Sequence, residues 1–351
     1  MKALVLHDIG DMRFEEIPMP EVREGEVLVR VKACGICGSD IPRAFDNGAH
    51  VMPLVLGHEF SGIVESVGPG ADEEWAGKAV GVYPLIPCGK CMNCYMGWYE
   101  MCENYSYLGS RQNGALAEYV AVPEKCLIEI PANVPFEVAA MIEPLAVAEH
   151  AVKRLYKAAL RKLSKEGSSF IVEGLGTIGL LTVMVLREMG CRNIFAVGNK
   201  EFQRKKLVEL GISEECYIDA SDAKKLSELK GDAIFECVGK ENTVRRALEW
   251  ANPEGTVMLI GNPETDMDIP RDVYWGILRK QLTVLGTWNS GFAVGMKGTQ
   301  SDWTNVIERL QNKSFQPEKL ITHRYELKDI YRGFDLMRKK TEDYCKVMAV
   351  M

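Results

Sequence analysis

The chain has 351 residues, more than one hydrophobic core usually serves, so two domains are expected. Hydrophobic residues make up 47%, and 49 acids against 42 Lys and Arg leave a formal charge of −7. That balance argues against a general nucleic-acid binder, which is normally basic, and still permits a local basic pocket for an anionic substrate.

No run of residues is long and apolar enough to span a bilayer. The best, at 178–186, falls far short of the roughly 20 residues a membrane helix needs. The N-terminal run MKALVLHDIG is soon interrupted by His7 and Asp8, which is not the pattern of a signal peptide, so a cytoplasmic setting is expected. The first third is strand-like, with β-rich segments at 26–31 and 63–67 and glycines at 57, 62, 68 and 70 suited to tight corners. This predicts a barrel-like β module. From residue 149 the rhythm changes. A helical stretch is expected to about residue 163, then a strand at 169–172, a helix at 177–189, a strand at 193–197 and a helix at 201–210. Short strands at 217–218 and 233–235, a helix at 242–250, and strands at 256–260 and 282–285 complete the series. Alternation of this kind predicts a doubly wound parallel sheet. After Gly286 the pattern reads as irregular, and residues 346–351 read as a final strand. A β module closed by both termini, with a nucleotide-binding domain inserted, is the expected arrangement.

Four of the eleven cysteines, Cys88, Cys91, Cys94 and Cys102, form C-x2-C-x2-C-x7-C. Without an export signal such crowding points to metal before disulfides. Four thiolates complete a tetrahedral shell with no open position, the donor set of a structural zinc; an iron–sulfur cluster is the rival, since it also takes four cysteines.

Gly174-Leu175-Gly176-Thr177-Ile178-Gly179 follows the apolar run Phe170-Ile171-Val172 and opens a helical pattern. In that context Gly-x-Gly-x-x-Gly lets the backbone approach a pyrophosphate and sets it at a helix N-terminus. Gly174, Gly176, Thr177, Ile178 and Gly179 are the expected contacts. The next strand ends in Gly198-Asn199-Lys200, where an NAD-preferring fold carries an acid for the ribose hydroxyls. Lacking the acid, the site does not repel a 2′-phosphate. Gly198 leaves room, Asn199 offers a donor, and Lys200 and Arg204 offer positive charge. NADP is therefore favoured, with NAD use left open; solvated helix-start charges are the plainer reading of Lys200 and Arg204.

Cys37, His58, Glu59 and Glu143 are candidate ligands of a second metal. Each alone has a plainer role: a small buried thiol, a turn histidine, an acid at a helix start. Their context lifts them: Gly35-Ile36-Cys37-Gly38-Ser39-Asp40, then Gly57-His58-Glu59-x2-Gly62-x5-Gly68, then Glu143-Pro144. With the four-cysteine lobe and the glycine-rich loop in this order, the chain resembles the zinc-dependent medium-chain alcohol and polyol dehydrogenases over essentially its whole length.

The resemblance implies a GroES-like β-barrel catalytic domain with a structural zinc lobe over residues 1–149 and 286–351, and a Rossmann-type domain over 150–285. It implies two zinc ions per chain, with Cys37, His58 and Glu143 holding the catalytic one and Glu59 beside it, able to exchange with water as ligand. Glu143 is similar to the polyol branch, where the alcohol dehydrogenases have Cys. A zinc with an open position lowers the pKa of a substrate hydroxyl and so favours hydride loss to nicotinamide. Ser39 matches the family hydroxyl that passes the proton on. Many relatives have a His soon after the following Asp, whereas this chain has Asp40-Ile41-Pro42-Arg43; water or His50 could substitute.

Further stretches, among them residues 38–43 with 47–50, 108–111 with Gly114, and 277–288, resemble the members that oxidise a phosphorylated hexitol. The implied reaction moves hydride between a secondary hydroxyl of an acyclic polyol and a nicotinamide. Arg43 and Arg111 are candidates for a phosphate end, since Arg matches phosphate geometry. Their plainer role is a structural ion pair or a hydrogen bond to a loop. Trp288 and Tyr83 are candidate pocket walls, although a core aromatic is as good a reading. A secondary-alcohol or small-diol dehydrogenase is the nearest alternative. A zinc-free quinone reductase is disfavoured by Cys37, His58 and Glu143 together, and a non-catalytic dinucleotide-binding redox sensor would be expected to lose those ligands. The resemblance also implies a homodimer or homotetramer paired through the strand near 282–285, with a small-molecule substrate and no nucleic-acid or membrane partner.

Overall fold

The structure is a computed structural model, and it describes residues 1–159, 163–164, 166–263, 265–295 and 299–351. The chain divides into two compact units, Met1–Glu143 with Gly291–Met351, and Pro144–Ser290. The sequence boundaries lay at 149/150 and 285/286; the first observed boundary instead falls inside the helix Ile142–Ala158. Of the helix expected over 149–163, residues 160–162 lie outside the described residues, and the observed helix begins seven residues earlier.

In the first unit the organising strand is Glu26–Ile36, whose Val27, Val29, Val31, Ala33, Cys34 and Ile36 are all buried. It pairs antiparallel with Glu59–Val67, with Tyr119–Pro123 and with the C-terminal strand Lys346–Val350. That last strand also runs parallel to Ile321–Glu326, so the final residues of the chain sit beside the segment leading to Cys37. Two registers matter for the site: Gly35 faces Glu59, and Ile36 faces Val347. Gly35 is required there, because a Cβ would run into the Glu59 carboxylate.

Residues after Gly286 are not irregular throughout, which corrects the sequence reading. Asp302–Gln311 and Tyr331–Lys339 are helices. The first is capped by Ser301, whose side chain accepts from the Thr304 N–H, and it buries Trp303, Val306, Ile307 and Leu310, the spacing of one helical face. Tyr83 is core rather than pocket wall: it is fully buried, stacked on Phe292 at 4.8 Å and edge-on to Trp303 at 5.7 Å.

The second unit contains, among the described residues, a six-stranded sheet whose pairings are all parallel. Its spatial order is Tyr217–Asp219, Asn193–Gly198, Ser169–Glu173, Gly231–Glu236, Ala251–Leu259, Thr283–Gly286. In order of sequence that is 3-2-1-4-5-6, the doubly wound dinucleotide-binding arrangement. Parallel strands covered on both faces read as continuous apolar runs, and Phe170, Ile171 and Val172 are fully buried accordingly. The order reverses between Ser169–Glu173 and Gly231–Glu236, where such sheets open a ligand crevice beyond the strand ends. Thr283–Gly286 is an edge strand, and the nearby helix Arg271–Arg279 exposes Tyr274, Trp275 and Leu278. No helix among the described residues is long and apolar enough to cross a membrane.

Candidate active site

The first unit brings together Cys37, His58 and Glu59, each offering a ligand atom within 4.8 Å of the other two. His58 and Glu59 are buried, and Cys37 is half-buried. Cys37 follows the end of the strand Glu26–Ile36, while His58 and Glu59 lead into its neighbour, so the antiparallel pairing itself sets the cluster. The charges are ill-matched for burial. Desolvation, with the Glu59 and Asp40 carboxylates, pushes the Cys37 thiol up to about 12. The buried Nδ1 of His58 has no hydrogen-bond partner and stands 3.6 Å from Asp40 Oδ1. A thiol, an imidazole and carboxylates held at this spacing suit a divalent ion with mixed S, N and O ligands, as zinc takes.

Glu143 lies outside that three-residue group. Its Oε1 accepts from the Tyr107 hydroxyl at 3.4 Å, and the Tyr107 ring meets His58 edge-on at 5.6 Å. Burial pushes Glu143 up to about 7 against the pull of His58, and burial also raises Tyr107, which keeps its hydroxyl a donor. Ser39 donates to Cys37 Sγ at 3.3 Å.

Sequence reasoning missed three groups here. Asp40 is fully buried; it accepts from the Cys37 N–H at 3.1 Å and from Arg43 Nη1 at 2.6 Å. Lys346 is 2% exposed, donates to Ile36 O at 3.1 Å and pairs with Glu59. Tyr107 is the third. Of the two arginines singled out, Arg43 is thus tied to Asp40, while Arg111 is exposed and lies over the Tyr105 ring at 4.7 Å. Trp288, in the second unit, is 54% exposed.

The four cysteines of the lobe converge. Sγ–Sγ distances are 3.5 Å for Cys91–Cys94, 3.9 Å for Cys91–Cys102 and 4.0 Å for Cys88–Cys94. A tetrahedron with Zn–S near 2.3 Å has edges of about 3.8 Å, so one ion fits all four. A multi-iron cluster would spread its thiolates farther apart. Backbone N–H donation, from Lys90 first, holds Cys88 down to about 6, so it can be a thiolate at neutral pH.

In the second unit Gly174 (φ +93°), Gly176, Gly198 and Asn199 line a cavity of about 570 Å³ at the switch point. Gly179 packs so tightly on the Gly174 carbonyl that no Cβ fits, whereas a Cβ on Gly176 would meet nothing. The first glycine pair closes the turn onto the helix Thr177–Glu188, with Ile178 in its first turn, and Gly176 leaves the approach open. The Asn199 N–H donates to Gln203 Oε1 at 2.9 Å, and a Cβ on Gly198 would crowd Gln203, Leu175 and Tyr217. Arg204 is engaged by Glu201, at 2.8 Å from Nε, and by Glu214. Lys200 stands at the N-cap of the helix Glu201–Glu209, and its carbonyl accepts from the Tyr217 hydroxyl at 3.2 Å.

Residues 23–132 match the alcohol dehydrogenase GroES-like domain and residues 177–312 the zinc-binding dehydrogenase domain. The chain belongs to the zinc-dependent medium-chain dehydrogenases. Among relatives of this family, galactitol 1-phosphate 5-dehydrogenase of Escherichia coli K12 is 34% identical over 92% of each chain. The crystal structure of the E. coli galactitol-1-phosphate dehydrogenase matches at a TM-score of 0.89, with 31% identity and full coverage of both chains. Two further solved relatives, each 27% identical and covering 100% of this chain and 99% of theirs, carry different cofactors. An alcohol dehydrogenase of E. coli CFT073 is complexed with NADH (TM-score 0.88), and a zinc-binding dehydrogenase of Sinorhizobium meliloti 1021 is bound to NADP (TM-score 0.87). Zinc and a nicotinamide cofactor therefore come with the family, and the chemistry is that of an alcohol or polyol dehydrogenase.

Proposed function

We propose that this dehydrogenase moves hydride between a secondary hydroxyl of an acyclic polyol, a hexitol phosphate foremost, and a nicotinamide cofactor. The observation that carries the reading is the buried Cys37–His58–Glu59 cluster beside Glu143. Cys37, His58 and Glu143 would hold the catalytic zinc, and Glu59 stands beside it, restrained by Lys346. Bound there, the ion supplies Lewis acidity toward the substrate oxygen. The chain's own residues handle the rest. Ser39, within reach of Cys37 Sγ, takes the hydroxyl proton and hands it toward solvent. Asp40 fixes the Cys37 backbone and faces the His58 ring. Cys88, Cys91, Cys94 and Cys102 hold a second, structural zinc. Gly174, Gly176, Thr177, Ile178 and Gly179 receive the pyrophosphate. Gly198, Asn199 and Lys200 favour NADP, since none of these three positions carries the acid that would repel a 2′-phosphate. Of the arginines, Arg111 is better placed for a substrate phosphate than Arg43, whose guanidinium is engaged by Asp40. Trp288 is assigned to the substrate wall, and the edge strand Thr283–Gly286 to pairing of two copies in a homodimer or within a homotetramer.

The test is reduced-nicotinamide absorbance with zinc-replete protein on galactitol 1-phosphate, sorbitol, 2-butanol and 2,3-butanediol, each with NAD and NADP. Fastest turnover on the phosphorylated hexitol with NADP is the expected result. Turnover confined to the plain alcohols would discard the phosphate claim, and preference for NAD would discard the NADP claim.

A further inference from the structure

The cations that line the nucleotide cavity do not come from the segment after the second strand. Lys200 and Arg204 are absent from its wall, while Lys240 and Arg246, from the other side of the switch point, are part of it. Arg246 is unusually well fixed. Its Nε donates to Glu173 Oε1 at 2.8 Å and its Nη2 donates to the same oxygen, while the guanidinium lies 5.7 Å from the Trp250 ring centroid. Glu173 is the residue immediately before Gly174 and is 1% exposed. Its second oxygen is buried without a hydrogen-bond partner. Glu236 faces Glu173 across the sheet, and its Oε1 accepts from the Val238 and Gly239 N–H groups at 2.9 Å each. A buried acid directly under a phosphate-binding loop is costly unless it is paired and hydrogen-bonded, as Glu173 is by Arg246. Here it orients a guanidinium whose side chain keeps 22% exposure into the same cavity as the glycine-rich loop. Burial also pushes Glu173 up to about 8, against the pull of Arg246, so the pair retains positive charge near neutral pH. A planar cation held this way is pre-organised for phosphate oxygens.

We propose that Arg246, positioned by Glu173, recognises a phosphate of the dinucleotide cofactor. This rests on the nicotinamide-cofactor reading above. The test is calorimetric titration of zinc-replete protein with NADPH, NADH, adenosine, adenosine 5′-monophosphate and adenosine 2′,5′-bisphosphate, using wild type, Arg246→Met and Glu173→Gln. The double variant Glu173→Met/Arg246→Met, which leaves no buried charge unpaired, guards against misfolding. Arg246→Met is expected to leave adenosine affinity within about twofold and to weaken a phosphorylated probe by about tenfold or more, the scale of one charged hydrogen bond. Loss on the monophosphate identifies the pyrophosphate end; loss confined to the bisphosphate identifies the 2′-phosphate. Glu173→Gln is expected to lose less, on the same probes. Equal loss on adenosine and the phosphorylated probes would mean a purely structural role and overturn the proposal. So would wild-type affinity in the folded double variant. Wild-type protein that binds neither NADH nor NADPH would instead sink the cofactor reading, and this inference with it.

Discussion

Replacing Lys346 by Met should destabilise the first unit severely, although residue 346 is far from Glu59 in sequence. Both side chains are 2% exposed, and the Lys346 ammonium is shared between Glu59 and the Ile36 carbonyl. Met fills much the same volume, so packing is nearly conserved and the loss is electrostatic. Removing one partner of a buried pair leaves the other charge uncompensated, at about 3–5 kcal/mol. For a unit of about 200 residues, each kcal/mol moves the melting temperature by about 2–4 °C, so a fall of about 6–20 °C is expected. The assay is scanning calorimetry on zinc-loaded and chelated protein. The loss should be larger after chelation, because a cation beside Glu59 offsets part of the missing charge. Glu59→Gln/Lys346→Met, which removes both charges, should recover most of the stability. A single variant melting within 2 °C of wild type in both states would refute the reasoning.

Three further outcomes follow from the geometry. Cys94→Ser should lower the zinc content by one ion per chain in elemental analysis, with the lobe becoming sensitive to protease; an unchanged count would remove Cys94 from the ligand set. Ser39→Ala should reduce kcat by about 10²–10³-fold with little change in KM, as expected for loss of a proton-transfer group; a KM effect alone would assign Ser39 to binding. Glu173 makes stability pH-dependent: its pKa is about 8 in the folded chain against an ordinary 4.5, so between those values the folded state holds a proton the unfolded state has released. Its contribution is therefore full below about pH 4.5 and is lost as pH rises through about 8. Glu173→Gln should flatten the fall in melting temperature over that window, and an unchanged slope would assign the titration to another group.

What could be read from the sequence was local in the chain. Cys88 to Cys102 are spaced so that one turn-rich lobe can gather them, and Gly174 to Gly179 sit between a strand and the helix they open, so spacing alone carries the chemistry. The doubly wound sheet was legible for the same reason, since each strand and helix announces itself by its own apolar period. The helix Asp302–Gln311 carries its own local signals, the Ser301 cap and the Trp303, Val306, Ile307, Leu310 spacing, in a stretch that no glycine or cysteine motif marks. What stayed hidden depends on pairing between distant segments. Nothing near Lys346 points to Glu59; only the antiparallel register of Lys346–Val350 on Glu26–Ile36 brings them together. The one signal was a charge at the head of an otherwise apolar strand. Glu173 gave the same signal, an acid closing the run Phe170-Ile171-Val172, and its partner Arg246 lies 73 residues away. In both cases an ionisable residue placed where the strand pattern calls for an apolar one marks a buried polar pair closed by a distant segment. The rule has a physical basis: an unpaired buried charge is too costly to keep, so a partner must arrive from elsewhere in the fold.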